Sequence, residues 1–155
     1  MLRRRVQESR CGSLTVVGRV GRICFSRLLE DEDLLDGIKR RAEENNIRSG
    51  VIALIGTLKN VTMGFYKDKK YEYIPIQGPL EIASCIGNVS TNESGEVVVH
   101  AHVLVSNQKG EAFGGHLMKG SWVGATAELV IIEAGDVTLQ RALDEKTNLN
   151  LLKLG

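Results

Sequence analysis

The sequence has few cysteines, and its three cysteines are far apart. Cys11, Cys24 and Cys85 form no Cys-x-x-Cys pair, which argues against a metal site built on thiolates. Their odd number and wide spacing also argue against a disulfide-bonded secreted protein. No apolar run approaches the roughly 20 residues that cross a bilayer, and no apolar signal-peptide segment follows the basic start. We therefore expect a cytoplasmic protein with reduced cysteines.

The chain also has almost no excess of charge, with a formal net charge of +1. Non-specific affinity for DNA depends on clustered lysines and arginines that neutralise phosphates. The basic runs at residues 3–5, 39–41 and 67–70 are short, and acidic residues follow or interrupt the last two. Charge therefore gives little support to DNA binding, and only Arg3-Arg4-Arg5 could act as a phosphate-seeking arm. The absence of a P-loop and of a Gly-x-Gly-x-x-Gly after a strand argues against nucleotide chemistry.

The remaining composition is that of an ordinary domain. The chain has 155 residues, of which 43% are hydrophobic and 25% charged, and such values are typical of a single globular domain. Residues 1–13 are expected to form a loosely ordered N-terminal lead, and residues 14–155 a single domain.

Apolar periodicity predicts one main helix. Asp31 and Asp33 offer N-cap oxygens before apolar residues that recur at helical spacing, and the pattern ends near Asn45-Asn46. The recurring residues are Leu34, Leu35, Ile38 and Ala42.

The rest of the chain predicts about seven strands, most of them connected by hairpins. Pro75 is expected at a sheet edge or strand end, and the many glycines predict a curved sheet. The fold class is therefore α+β, with a mostly antiparallel sheet and the helix packed on it. The predicted strands are 15–29, two strands in 47–66 joined near 57–60, 71–76, 80–89, 96–105 and 122–133, followed by a tail at 137–155 with a short strand and a loosely helical or extended end.

All three histidines, His100, His102 and His116, fall within one stretch of seventeen residues. If the segment from Val97 is a strand, its period of two places His100 and His102 on one face. Glycines and Asn107 between them and His116 allow the chain to fold back, so the third imidazole could join the pair. Three neutral histidines with water in the fourth position are the ligand set of an open zinc site, and imidazole also suits nickel, copper and iron.

The same pattern has a simpler interpretation. A His-x-His pair on a strand is often only a polar face turned to solvent, and a histidine after two glycines is often a loop residue bonded to backbone. Both interpretations stay open at the level of the sequence.

The order of three segments resembles the plant-and-prokaryote-conserved (PPC) domain, also called DUF296. The resemblance covers about residues 18–134. Its most specific part is His-x-His followed by Gly-x-x-x-Gly-Gly-His-Leu, which here runs from His100 to Leu117. The three segments are 21–66, 78–90 and 100–131.

The resemblance implies an α+β fold with an antiparallel sheet and assembly as a homotrimer. Prokaryotic members are described as candidate DNA-binding proteins, and some hold a metal through histidines that correspond to His100, His102 and His116. A six-residue segment through which the plant domains associate resembles Gly78-Pro79-Leu80-Glu81-Ile82-Ala83. The fold is also similar to that of acetolactate decarboxylase, a zinc enzyme with three histidine ligands.

The chain departs from the plant proteins in one respect. Those proteins contact DNA through an AT-hook, a separate Arg-Gly-Arg core that enters the minor groove. This sequence contains no Arg-Gly-Arg, and Arg3-Arg4-Arg5 lacks the central glycine.

Two functional hypotheses follow. The first is a non-catalytic, oligomeric module with a DNA-associated or regulatory role, in which a metal orders the loop from Val105 to Gly115. In that loop Gly110, Gly114 and Gly115 would shape the site by allowing tight turns. Family descriptions place this hypothesis first.

The alternative is a small three-histidine zinc enzyme of lyase or hydrolase type, in which the ion activates water or polarises a carbonyl. Such an enzyme needs an acid or base nearby. Glu111 is the first candidate because it lies between the ligands in sequence, and Glu81 and Glu128 are weaker candidates. The simpler interpretation of all three is an ordinary glutamate on the surface. The catalytic residue therefore stays unassigned.

Overall fold

The computed structural model describes residues 15–154, which form one helix and one sheet of eight strands. The predicted α+β class with a curved, mostly antiparallel sheet is confirmed, with eight strands where about seven are expected. Of the residues described, none belongs to a helix long and apolar enough to span a membrane. The elements are β1 (Arg19–Leu28), α1 (Leu34–Glu44), β2 (Gly50–Lys67), β3 (Lys70–Thr91), β4 (Val97–Ser106), β5 (Ala112–Leu117), β6 (Trp122–Gly135), β7 (Gln140–Asp144) and β8 (Leu149–Lys153).

The sheet has the order β1-β6-β2-β5-β4-β3-β7-β8, and β2 also pairs with β3. The pairs are antiparallel except for β3 with β7, which are parallel at Thr91 and Gln140. Because β2 pairs with β3, β3 with β4, β4 with β5 and β5 with β2, these four strands close on themselves. Register shifts in β2 between Leu54 and Gly56 and between Leu58 and Asn60 let the sheet bend in this way.

The helix is the predicted one, and Asp33 is its N-cap. The Asp33 carboxylate accepts a hydrogen bond from the backbone N–H of Asp36 at 3.0 Å and another from Gly120 at 2.7 Å. This side chain therefore ties the start of α1 to the loop before β6. Leu34 and Ile38 are both 0% exposed, so the apolar face of α1 closes the inner face of the sheet.

The outer face of the sheet has a different character. Paired residues of neighbouring strands share a face, and one row runs from Phe25 to Val130, Ala53, Ile86 and His102. We call these five residues the outer row. Its apolar members include Phe25 at 77% and Ile86 at 60% exposure. The outer row therefore joins an exposed apolar surface to one of the histidines.

Two strand predictions are wrong because the glycines and prolines of these segments lie within continuous strands and do not end them. Residues 47–66 were expected to form two strands, but β2 is continuous and absorbs its irregularities as register shifts. Residues 71–76 and 80–89 were expected to be separate, but both belong to β3. Pro75 pairs with Thr62 of β2. The pairing of β3 with β4 begins only at Glu81, so within the described part of the chain β3 has an unpaired edge at Pro75, as predicted.

Two further elements differ from expectation. Residues 112–117, expected to belong to a glycine loop, form β5, and the tail forms the hairpin of β7 and β8 instead of a short strand with a loose end. The expected N-terminal lead of residues 1–13, with its Arg3-Arg4-Arg5 run and Cys11, lies outside the described residues.

Candidate metal centre

The three histidines meet where β4 and β5 pair. His102 lies directly opposite His116 in this ladder, and His100 follows on the same face of β4, two residues away. The face is the predicted one, since Ala101 and Val103 between and beyond them are 1% and 2% exposed and point into the core. One ring nitrogen from each histidine can be chosen so that all three lie within 4.8 Å of one another. The three imidazoles therefore converge, and such a group could hold a metal ion.

The strands next to β4 and β5 supply the floor of the site. Gly64 of β2 lies opposite His116, and the Tyr71 ring stacks on the His116 ring with 4.7 Å between centroids and 29° between planes. A Cβ atom at Gly64 would lie only 2.7 Å from the Tyr71 ring. The missing side chain at Gly64 therefore leaves the space in which Tyr71 covers His116.

The surroundings of His116 favour the neutral imidazole. Burial, followed by the nearby His100, His102 and Arg141, lowers the pKa of His116 to about 4. Its Nδ1 atom is buried and has no hydrogen-bond partner among residues 15–154. A buried ring nitrogen without a partner is costly in a finished core, and it is suited to a ligand that the chain itself does not supply.

His100 is also kept neutral. Burial is the largest cause of its lowered pKa, and the charges of Arg141 and His102 add to it. Because histidine binds metal in its neutral form, both His100 and His116 are in the ligand form near neutral pH.

Sequence reasoning missed Arg141, the charged residue of β7 that reaches the site. Arg141 is 7% exposed, and its Nη2 lies 2.9 Å from Nδ1 of His100. Its other partners are the Ser90 hydroxyl at 3.0 Å, the Asn88 side-chain oxygen at 3.0 Å and the Asn150 carbonyl at 2.8 Å. The only available signal was a single arginine in the alternating segment Leu139-Gln-Arg-Ala-Leu143.

Two cavities flank the histidines. A cavity of about 550 Å³ lies towards the β7–β8 hairpin, where His100, His116, Tyr71 and Arg141 form part of its wall. The other, of about 640 Å³, lies towards the outer row, and its wall includes His102, His116 and apolar residues such as Ile86. A metal bound by the histidines would therefore lie between a cavity of mixed character that contains Arg141 and a more apolar one.

The glycine and glutamate candidates lie at different distances from the histidines. Gly114 and Gly115 are in β5, where Gly115 allows close approach of Met63, and Gly110 occupies the turn before β5 with φ of 76°. Glu111 is exposed and accepts a hydrogen bond from Asn107 at 2.7 Å. Five strand positions separate Glu111 from His116, or roughly 16 Å. The structure does not bring Glu111 to the histidines.

The predicted partner segment lies in β3. Its side chains alternate, so that Leu80 and Ile82 are buried while Pro79, Glu81 and Ala83 are exposed. The exposed side chains are free to contact a partner, and this role stays a prediction. Gly78, the first residue of the segment, is half-buried.

The model of one protein family, the Plants and Prokaryotes Conserved (PCC) domain, matches residues 15–135. Among curated proteins, the bifunctional protein GlmU of Synechococcus sp. (strain JA-3-3Ab) is 29% identical over 122 residues, which are 78% of this chain. The chain spans only 18% of the length of that relative.

Solved structures agree with the family match. A PPC protein of Pyrococcus horikoshii is 37% identical with a TM-score of 0.83, covering 91% of this chain and 97% of that one. A metal-containing protein of Archaeoglobus fulgidus is 32% identical with a TM-score of 0.80, covering 88% and 96%. A candidate DNA-binding protein of Ralstonia eutropha is 25% identical with a TM-score of 0.75, covering 84% and 90%.

The expected similarity to acetolactate decarboxylase is also present at the level of the fold. A Staphylococcus aureus protein described as similar to that enzyme has a TM-score of 0.50 at 16% identity, covering 76% of this chain and 54% of that one.

Proposed function

Because the chain belongs to the Plants and Prokaryotes Conserved (PCC) domain family, we propose that it is a self-associating, metal-binding protein. In this proposal His100, His102 and His116 hold one divalent transition metal. The observation that carries it is the convergence of three ring nitrogens within 4.8 Å on neighbouring strands. The buried, unpartnered Nδ1 of His116 supports it independently.

Zinc is the metal that we propose first. Three imidazoles and an open fourth position are a frequent zinc ligand set, although nickel, copper and iron also accept imidazole. The metal-containing protein of Archaeoglobus fulgidus supports a metal in this fold. Bound zinc would supply a Lewis acid at the wall of the two cavities.

Metal analysis tests the proposal. Protein purified without chelator is expected to retain about one zinc ion per chain by inductively coupled plasma mass spectrometry. His102→Gln, at an exposed position, should lower this content at least tenfold, because it removes one of three ligands. Glu111→Gln is the matched control and should retain the metal. Equal metal content in wild type and His102→Gln would overturn the proposed site.

The outer face supports self-association, and we propose the homotrimer that the family resemblance implies. Phe25, Ile23, Val51 and Ile55 are each more than half exposed on this face. Exposed apolar patches of this kind usually mark protein interfaces, and a second copy of the chain offers a matching surface.

The assembly is testable by mass. Wild-type protein is expected to elute in light-scattering chromatography at about three times the chain mass of 17.0 kDa. Phe25→Glu should yield monomers, because it places a charge within the exposed apolar surface. Leu143→Glu, at an exposed apolar position on β7, is the control and should not change the mass. A wild-type monomer at micromolar concentration would contradict the proposal.

A DNA-associated, regulatory role is a second candidate, favoured by the similarity to the Ralstonia protein. Any contact driven by phosphates must weaken steeply between about 50 and 200 mM salt. Fluorescence anisotropy with a labelled duplex measures this dependence, and an absence of binding at low salt would exclude the role.

The enzyme alternative is favoured by the 550 Å³ cavity beside the histidines, because small-molecule sites have about this size. Among residues 15–154, no carboxylate joins the group of three histidine nitrogens.

The location that we infer is the cytoplasm. Cys24 and Cys85, the cysteines within the described part of the chain, are free thiols, as is usual in a reducing compartment.

A further inference from the structure

We propose that the cavity between the histidines and the β7–β8 hairpin binds a small ligand through a carboxylate or phosphate group, with Arg141 as the anchor. This inference rests on the proposed metal site, because the ligand would lie between Arg141 and a metal-bound His100. Arg141 lies outside residues 15–135, the part of the chain that the family model matches.

The first reason is an unbalanced buried charge. Arg141 is 7% exposed, and each of its four hydrogen-bond partners is a neutral group. Within residues 15–154 no carboxylate lies within 4.0 Å of its guanidinium, as the set of ion pairs shows. A buried cation is normally paired with an anion. An anionic ligand would complete the pairing that the protein leaves open.

The second reason is the chemistry of the contact between Arg141 and His100. Arginine can only donate hydrogen bonds, so Nδ1 of His100 accepts in this structure. A neutral histidine that ligates a metal through one nitrogen carries a proton on the other, and that proton needs an acceptor. If His100 binds the metal, its Nδ1 therefore carries a proton and no longer accepts a hydrogen bond from Arg141. Two donors, the Nδ1–H of His100 and the guanidinium of Arg141, would then face each other. An oxyanion placed between them would accept from both.

The third reason is the charge of the cavity wall. Lys69 and Lys70 line the same cavity as Arg141, and no aspartate or glutamate is among the described lining residues. The Asp144 carboxylate on β7 is engaged by Thr147 at 2.6 Å and 2.9 Å and is not part of the wall. The cavity is therefore cationic along one side, with Tyr71 and Tyr73 for the uncharged part of a ligand.

Isothermal titration of zinc-loaded protein, freed of excess zinc, tests the proposal with two probes. Malonate represents a carboxylate ligand and inorganic phosphate a phosphate ligand, and the tighter probe identifies the group. Arg141→Met is expected to weaken binding of that probe roughly 10- to 100-fold, because charge-assisted hydrogen bonds are lost. Arg141→Lys should weaken it less, since the charge remains but the planar pair of donors does not.

Because Arg141 is buried, its replacement could unfold the protein, and a second variant keeps the test decisive. Lys69→Gln combined with Lys70→Gln changes two exposed side chains and should weaken binding several-fold. Lys109→Gln, an exposed lysine on the distant β4–β5 turn, is the matched control and should bind the probe as wild type does.

The outcomes separate the two proposals, because zinc content is measured on the same samples. A wild-type protein that holds no zinc would overturn the proposed function and this inference with it. A protein that holds zinc but binds neither probe would overturn this inference alone. Unchanged probe affinity in the folded Arg141 or Lys69/Lys70 variants would also overturn it.

Discussion

Zinc, added to metal-free protein at about a thousand times its dissociation constant, is expected to raise the free energy of unfolding by about 4 kcal/mol. The reason is that the unfolded chain does not hold the three imidazoles together, so binding energy adds to folding energy. In the folded chain His102 and His116 face each other in a ladder. Urea unfolding, followed by circular dichroism with and without zinc, measures the difference.

A variant pair shows whether the stabilisation comes from this site. His102→Gln should lose most of it, while its metal-free stability should stay near that of wild type, because the His102 side chain is exposed. Glu111→Gln should keep the full effect, since Glu111 lies at the far end of the β4–β5 hairpin. Equal stabilisation of wild type and His102→Gln would mean that zinc acts elsewhere.

Acid is expected to destabilise the metal-free protein before its carboxylates are protonated. The pKa of His116 is about 4 in the folded protein, whereas an unperturbed histidine has a pKa of about 6.5. Between these two pH values His116 is protonated in the unfolded chain but stays neutral in the folded chain. The contribution of His116 to the free energy of unfolding should therefore be constant above about pH 6.5, fall as the pH drops towards 4, and become constant again below it.

The size of this loss follows from the shift. Undiscounted, the shift would correspond to about 3 kcal/mol, but His116 is only half-buried and solvent screens its neighbours, so about 1–2 kcal/mol is expected. His100, whose pKa is also lowered, adds to the loss in the same direction.

The contribution of His116 can be isolated by substitution. His116→Gln should reduce the loss of stability between pH 6.5 and 4.5, measured by urea unfolding at each pH. The pKa of Glu32 and that of Glu133 are both about 2 because of their arginine partners. The stability that these two carboxylates contribute is therefore lost only below about pH 4.5, outside this window. Parallel curves for wild type and His116→Gln would contradict the assignment to His116.

The helix and the histidine pair could be predicted because each depends on local chemistry. Asp33 is a good N-cap wherever an apolar helical repeat follows it, and the strand period of two fixes the shared face of His100 and His102. Neither prediction required knowledge of distant residues.

Strand β5 and Arg141 could not be predicted because both depend on residues far away in the sequence. Gly114 and Gly115 are usual in turns, but here they lie opposite Leu104 and Val103. Gly115 also gives Met63 room to approach. Arg141 reaches His100 only because β7 pairs with the end of β3. A pairing of this kind is invisible in a local pattern.

The β7–β8 hairpin has a consequence for how relatives are compared. The family model matches residues 15–135, while one wall of the cavity and its buried guanidinium come from residues after 140. Two proteins could thus have the same domain and the same histidines and yet accept different molecules, if their tails differ. The domain and the tail would then determine function separately. An activity known for one relative could be assigned to another only after both parts had been compared.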